Sequence, residues 1–223
     1  MKPYERLAEA AAPDGTVLTL YRHDGAFLLR IDGIELMSTR RSQSEGQLAE
    51  LACRGLSGQT GVRVLVGGLG FGFTMRAALE RLGSDAQVMV AEIVPEVIAW
   101  NRNPDYALAG AAMNDQRVDI RLGDVLALLR EHPGVFDAIM LDVDNGAESL
   151  TTSGNAKLYA DTGIQLAIEA LRPGGRVIYW SADADPAFVK ALRRNGLTVT
   201  TEKSRAHGKK GAAHELIVGE KRR

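Results

Sequence analysis

Apolar and polar residues follow two different rhythms along this chain, and the rhythm changes near residue 60. Thr16 to Arg22 (TVLTLYR) alternates with a period of two, the mark of a half-buried strand. His23-Asp24-Gly25 reads as a turn, Ala26 to Ile31 as a second strand, Asp32-Gly33 as another turn and Ile34 to Met37 as a third strand. This predicts a small β-meander, which is too small to be stable alone. Ser44 to Leu56 then brings Leu48, Leu51 and Ala52 onto one face of a predicted helix, ended by Ser57-Gly58-Gln59.

From Val62 the pattern becomes strand, turn, helix, repeated. The apolar runs Val62–Val66, Gln87–Ile93, Val118–Arg121, Phe136–Leu141 and Val177–Trp180 read as strands. Predicted helices lie between them at Thr74–Leu82, Pro95–Asn101, Val125–Arg130 and Ala160–Leu171, with another at Pro186–Asn195. Pro95 falls in a first turn, where its missing N–H costs nothing, and Gly196 stands at a left-handed helix stop. Such alternation predicts an α/β fold of Rossmann-like type, a mostly parallel sheet covered on both faces by helices. The closing strands, Leu197–Glu202 and Glu215–Gly219, are too close for a helical crossover and are expected to pair antiparallel. The expected division is an N-terminal β cap over residues 1–43 and a ligand-binding α/β domain over 44–223.

Composition narrows the class. With 45% hydrophobic and 25% charged residues, the chain is neither disordered nor fibrous. No apolar run approaches the ~20 residues that span a bilayer, and the N-terminus lacks the apolar core of a signal peptide. A single cysteine, Cys53, excludes an internal disulfide or a zinc cluster and fits a reducing cytoplasm. From Lys190 onward ten Lys/Arg face three Asp/Glu, so the preceding body is acidic. An acidic body disfavours a large nucleic-acid ligand.

In sheets of this kind, ligands sit beyond the carboxyl ends of the strands. The first strand is followed by Gly67-Gly68-Leu69-Gly70-Phe71-Gly72. The dinucleotide fingerprint would need its third glycine at Phe73, and the Gly-Lys-Ser/Thr of a phosphate loop is absent. A turn without side chains still lets backbone N–H groups approach a ligand. Glu92 ends the second strand, where a carboxylate accepts from a ribose diol or stands ahead of the Pro95 helix as a cap-like acid. Asp124 is placed to cap a helix and to accept from an adenine amino group. The fourth strand runs into Asp142-Val143-Asp144-Asn145-Gly146, which reads as a polar turn or as a paired-carboxylate site in which one acid acts as a base. Tyr159 is a candidate for a substrate pocket or for packing. His23, His132, His207 and His214 lack metal-ligand spacing. Cys53, Trp100 and Trp180 are expected in the core. The basic stretch Lys203 to Lys210 reads as a solvated hairpin tip.

Taken in order, Gly67–Gly72, Glu92, Gly123-Asp124, Asp142 and Leu171-Arg172-Pro173-Gly174-Gly175 resemble the class I S-adenosylmethionine-dependent transferases, and within them the spermidine synthases. Ile31-Asp32-Gly33-Ile34-Glu35-Leu36-Met37-Ser38 is similar to that family's strand before its substrate gate. Asn114-Asp115-Gln116-Arg117-Val118, followed by Gly123-Asp124, is similar to its D-P-R-V…G-D segment. The resemblance implies S-adenosylmethionine or its decarboxylated form as the donor, bound by Gly67, Gly68, Gly70, Gly72, Glu92, Asp124 and Val125. It also implies catalysis by Asp142 and a possible homodimer; the residues themselves add Asp144 as a second catalytic acid and Asn145 and Tyr159 as the expected substrate surface, with no metal expected.

The chain departs from that pattern at its amine-binding half. Gly70 replaces an aspartate of the glycine turn, Asn145 the second acid of D-S-S-D-P, and Leu36 a glutamine. A tyrosine- and glutamate-bearing segment becomes Ser42-Gln43-Ser44-Glu45-Gly46-Gln47. The expected activity is methyl transfer to a small, amine-like acceptor. Aminopropyl transfer in polyamine synthesis and a non-catalytic nucleoside-binding role are the alternatives.

Overall fold

The N-terminal alternation folds into an antiparallel sheet of four strands in chain order: β1 (Glu5–Ala11), β2 (Val17–His23), β3 (Ala26–Ile31) and β4 (Ile34–Ser38). The computed structural model describes residues 3–40, 43–141, 156–207 and 210–223. Asp24-Gly25 and Asp32-Gly33 all take positive φ, as two-residue hairpin turns of the type I′ family require. The alternation does not predict β1. Its sequence, ERLAEAA, is rich in helix formers, yet it pairs with β2 from Glu5–Arg22 to Ala11–Val17 through an irregularity between Arg6 and Ala8. Cross-strand pairing overrides local preference there.

After α1 (Gln43–Cys53) come β5 (Arg63–Gly67), α2 (Phe73–Leu79), β6 (Gln87–Glu92) and α3 (Pro95–Arg102). A 3₁₀ turn over Gly110–Asn114 leads to β7 (Val118–Leu122), α4 (Val125–Glu131) and β8 (Phe136–Leu141). Then follow α5 (Ala156–Tyr159), α6 (Asp161–Ala170), β9 (Leu171–Ser181), α7 (Pro186–Arg194), β10 (Thr198–His207) and β11 (Lys210–Glu220). The second sheet has seven strands in the order β10-β11-β9-β8-β5-β6-β7. Strands β5 to β9 run parallel, and β11 is antiparallel to both of its neighbours.

This is the Rossmann-like arrangement expected from the alternation, in the class I methyltransferase-type form that the resemblance implies. The chain builds outward from β5 through β6 to β7, then crosses to β8 on the other side. The switch point falls at the carboxyl end of β5, directly before the glycine turn. Two boundaries differ from expectation. Leu171 through Gly175 belong to β9 rather than to a helix end, and the basic stretch largely extends β10 as far as His207, because cross-strand pairing reaches His207–Lys210.

The central strands are apolar on both sides, as buried parallel strands must be. Val64 and Val66 face α1, α2 and α3, while Leu65 faces α4, α6 and α7. Ala10, Leu18, Leu20, Leu29 and Ile31 of the N-terminal sheet join the first of these clusters. The meander therefore does not need a core of its own. Its apolar face closes against the α/β body on the side of the glycine turn, where Phe27 also packs against Tyr106 at 5.9 Å.

The segment that resembles D-P-R-V has a structural task. Arg117 pairs with Asp115 through two nitrogens, and its Nη1 donates to the carbonyls of Leu79, Leu82 and Gly83 at the end of α2. Hydrogen bonds from Arg117 hold the Asp115 carboxyl down at about 2.

Candidate functional site

A cavity of about 110 Å³ opens at the carboxyl ends of β5, β6 and β7. Its floor is the glycine turn, Gly68 to Phe71, with Glu92 and Ile93 at the tip of β6 and Gly123, Asp124 and Val125 beyond β7. Its roof is apolar and comes from the N-terminal sheet and its turns: Ala12, Leu18, Leu29, Leu36 and Met37. Glu45, in the first turn of α1, adds one acid to the wall. Val97 of α3 contributes a side wall.

The turn needs its glycines for two separate reasons. Gly70 has φ of +49°, and a Cβ there would lie 2.6 Å from the Met37 methyl carbon and 3.0 Å from its sulfur. Gly72 has φ of +71°, and a Cβ there would come within 2.5 Å of Ala109 Cβ. The Gly70 contact involves the flexible end of a methionine, whereas the one at Gly72 meets a side chain fixed next to the backbone.

Glu92 is buried and ties two segments together. The Leu69 N–H donates to its Oε2 at 3.0 Å, and the Val94 N–H donates to its Oε1 at 2.9 Å. The carboxylate thus links the glycine turn to the start of α3. Burial pushes its pKa up, and the N–H groups of Val94, Leu69, Gly70 and Ile93 oppose that rise by favouring the charged form.

Asp124 is the N-cap of α4, accepting from the Leu126 N–H at 2.8 Å. It also lines the cavity, so the residue that caps α4 borders the candidate site. Val125 lies beside it, and Ile93 is 38% exposed across the same opening. An exposed isoleucine next to two acids suits the apolar face of a planar base.

Five of the seven nucleoside-site candidates line the cavity: Gly68, Gly70, Glu92, Asp124 and Val125. Gly67 ends β5 within the sheet, and Gly72 is the N-cap of α2; neither borders the cavity. Asp142, Asp144 and Asn145 lie outside the described residues. Of the two placements open for Tyr159, the ring occupies the packed one. It sits in the second core cluster, 5.1 Å from the Phe188 ring and 5.8 Å from the Tyr179 ring, away from the cavity wall. Among the described residues, no group of three or more His, Cys, Asp or Glu side chains could hold a metal ion. No described helix is long and apolar enough to cross a membrane. Cys53 is buried and its thiol is pushed up to about 11 by desolvation.

Sequence reasoning missed the roof and Asn101. The roof residues are ordinary strand positions, and nothing in their spacing says which surface they cover. Asn101 read as the last residue of a helix. In the structure its Nδ2 donates to the Gly70 carbonyl at 2.7 Å.

No family model and no curated protein matches the sequence. Solved structures do match in fold. A spermidine synthase in complex with the transition-state analogue AdoDATO superposes with a TM-score of 0.76 at 17% identity, covering 97% of this chain and 72% of that one. The spermidine synthase from Thermotoga maritima gives 0.76 at 17% identity over 97% and 73%. A probable spermidine synthase from Corynebacterium glutamicum gives 0.67 at 15% identity over 99% and 81%. The chain therefore has the spermidine synthase-like form of the class I methyltransferase fold, with the N-terminal sheet included in the match.

Proposed function

We propose that this protein is a transferase that uses S-adenosylmethionine and moves its methyl group to a small, amine-like acceptor. The observation that carries this reading is position 70. Spermidine synthases have an aspartate there, which attracts the ammonium of a decarboxylated donor and repels the carboxylate of the intact one. Here the backbone at Gly70 is left-handed, Met37 fills the space above it, and the roof is apolar. The turn offers N–H groups and no negative side chain of its own, which suits a donor that keeps its carboxylate.

The remaining cavity residues fit a nucleoside. Glu92 and Asp124 can accept from ribose and adenine, and Ile93 can cover the base. The cavity is smaller than the ~300 Å³ at the low end of small-molecule sites, so only part of such a donor fits beneath the roof as it stands. When bound, the donor supplies a sulfonium methyl group. An acceptor amine attacks the methyl carbon, the carbon–sulfur bond breaks, and the amine gives up a proton. Asp142, with Asp144 beside it in sequence, is our candidate for the group that receives that proton.

The fold neighbours favour a second reading, aminopropyl transfer from the decarboxylated donor. One experiment separates the two. The protein is incubated with each donor and a panel of amines and small acids, and the nucleoside by-product is identified by mass spectrometry. S-adenosylhomocysteine supports methyl transfer. Methylthioadenosine formed only from the decarboxylated donor and putrescine replaces it with aminopropyl transfer. Failure of every adenosyl ligand to bind in calorimetry defeats both.

A further inference from the structure

Asn101 is 4% exposed near the end of α3. Its Nδ2 donates to the Gly70 carbonyl at 2.7 Å and to the Val97 carbonyl at 2.9 Å, so both amide protons are used. Its Oδ1 is buried with no hydrogen-bond partner among the described residues. Asparagine is a poor residue for a helix, and a buried carbonyl oxygen without a partner is costly. An alanine would satisfy α3 better on both counts. The side chain's distinctive contact is the one that reaches 31 residues back to the glycine turn.

That contact acts on a peptide plane that is easily turned. Gly70 lacks the Cβ that would restrict its backbone, so the 70–71 peptide needs an outside anchor to hold one orientation. All peptide bonds in the described chain are trans. In a trans peptide the carbonyl and the following N–H point to opposite sides. With the Gly70 carbonyl drawn toward Asn101, the N–H of Phe71 is turned away from it. Gly70 and Phe71 both border the cavity. Reversing the plane would exchange the places of the carbonyl oxygen and the N–H, and a carbonyl oxygen favours an ammonium where an N–H favours a carboxylate.

We propose that Asn101 is a positioning residue for donor selection: by holding the Gly70 carbonyl it aims the Phe71 N–H at the carboxylate of the donor's amino-acid end. This rests on the transferase reading above and deepens it by naming what distinguishes the two donors.

The test compares two ligands that share the adenosyl part. S-adenosylhomocysteine carries the amino-acid carboxylate, and methylthioadenosine does not. In Asn101→Ala, calorimetry should show at least a tenfold weaker Kd for S-adenosylhomocysteine and less than a twofold change for methylthioadenosine. The backbone amide signal of Phe71 should move in an NMR spectrum that is otherwise little changed. Should that variant fail to fold, Asn101→Ser, which keeps a hydroxyl but loses the reach, carries the same measurements. Equal loss of both ligands, or no change in either, overturns the role of Asn101 while leaving the transferase reading intact. A parent protein that binds neither ligand overturns the transferase reading itself.

Discussion

The floor and the roof of the cavity are built in opposite ways. The floor is backbone and buried carboxylate: a glycine turn, two strand tips, and hydrogen bonds of 2.9–3.0 Å from Leu69 and Val94 to Glu92. The roof is five apolar residues presented by a separate sheet and its turn. Hydrogen bonds are directional and tolerate little displacement, whereas apolar contact is non-directional and can repack. The floor is therefore the half held by directional bonds, and the roof is the half that can repack. Of the departures from the spermidine synthase pattern, Leu36 is in the roof and Gly70 is in the floor, where it meets Met37.

The strongest way to break this contrast is Gly72→Val. It combines strain at a positive φ, about 1–3 kcal/mol, with overpacking against Ala109, about 1–3 kcal/mol. Urea denaturation should show a loss of roughly 2–6 kcal/mol; a loss below about 1 kcal/mol would mean that the floor is not set by its backbone.

Glu92→Ala comes next. It strands the buried N–H groups of Leu69 and Val94 at about 1–3 kcal/mol each. Stability should fall by about 2–6 kcal/mol, and binding of adenosyl ligands should fall with it. Unchanged binding in calorimetry would leave Glu92 as a purely structural link between turn and helix.

The roof should give a smaller response. Met37→Ala removes a partly buried side chain and should cost about 1–2 kcal/mol, below the range for fully buried methionine. The informative comparison is Gly70→Asp in both backgrounds. The aspartate should be better tolerated when Met37 is alanine, because its Cβ then loses the 2.6 Å clash. Additive costs in the double-mutant cycle would show that roof and floor do not meet at this point.

The smallest effect is expected away from the cavity, where Asp115→Asn removes the ion pair that lets Arg117 close α2. The Asp115 carboxyl is held near 2, below its ordinary 3.8. Its contribution is therefore complete above about pH 4 and is lost as pH falls through about 2. Parent and variant should differ by about 1 kcal/mol at pH 7 and draw together as pH falls through about 2, with adenosyl affinity unaltered. A difference that does not shrink there would assign the effect to something other than this charge.

Much of the sheet was legible because of its chemistry. Strands buried on both faces read as continuous apolar runs, and β5, β6 and β8 are such runs, each bounded by a turn or a charged residue. The acids Glu92 and Asp124 stood out because each closes or follows a strand that is mostly apolar. Strand β1 was not legible, since Glu5 to Ala11 carries no alternation and becomes a strand only by pairing with β2. The extension of β10 through Ser204 to His207 was hidden for the same reason, because pairing with β11 outweighs its polar composition. Tyr159 shows the opposite limit, for a tyrosine after a loop suits a pocket and a core equally well until its neighbours Tyr179 and Phe188 are known.

By itself the sequence determined the order of strands and helices, the turn that only glycines can make, and the acids at the strand tips. These are properties of local backbone geometry and of periodicity within a few residues. Tertiary structure alone decided that the N-terminal sheet covers the cavity, that Met37 lies over Gly70, and that Asn101 reaches Gly70 from α3. Those contacts join residues some thirty positions apart, as with the 31 that separate Asn101 from Gly70. Their physical cause is the closing of one apolar face against another. That closure fixes relative position in space and leaves no periodic trace along the chain.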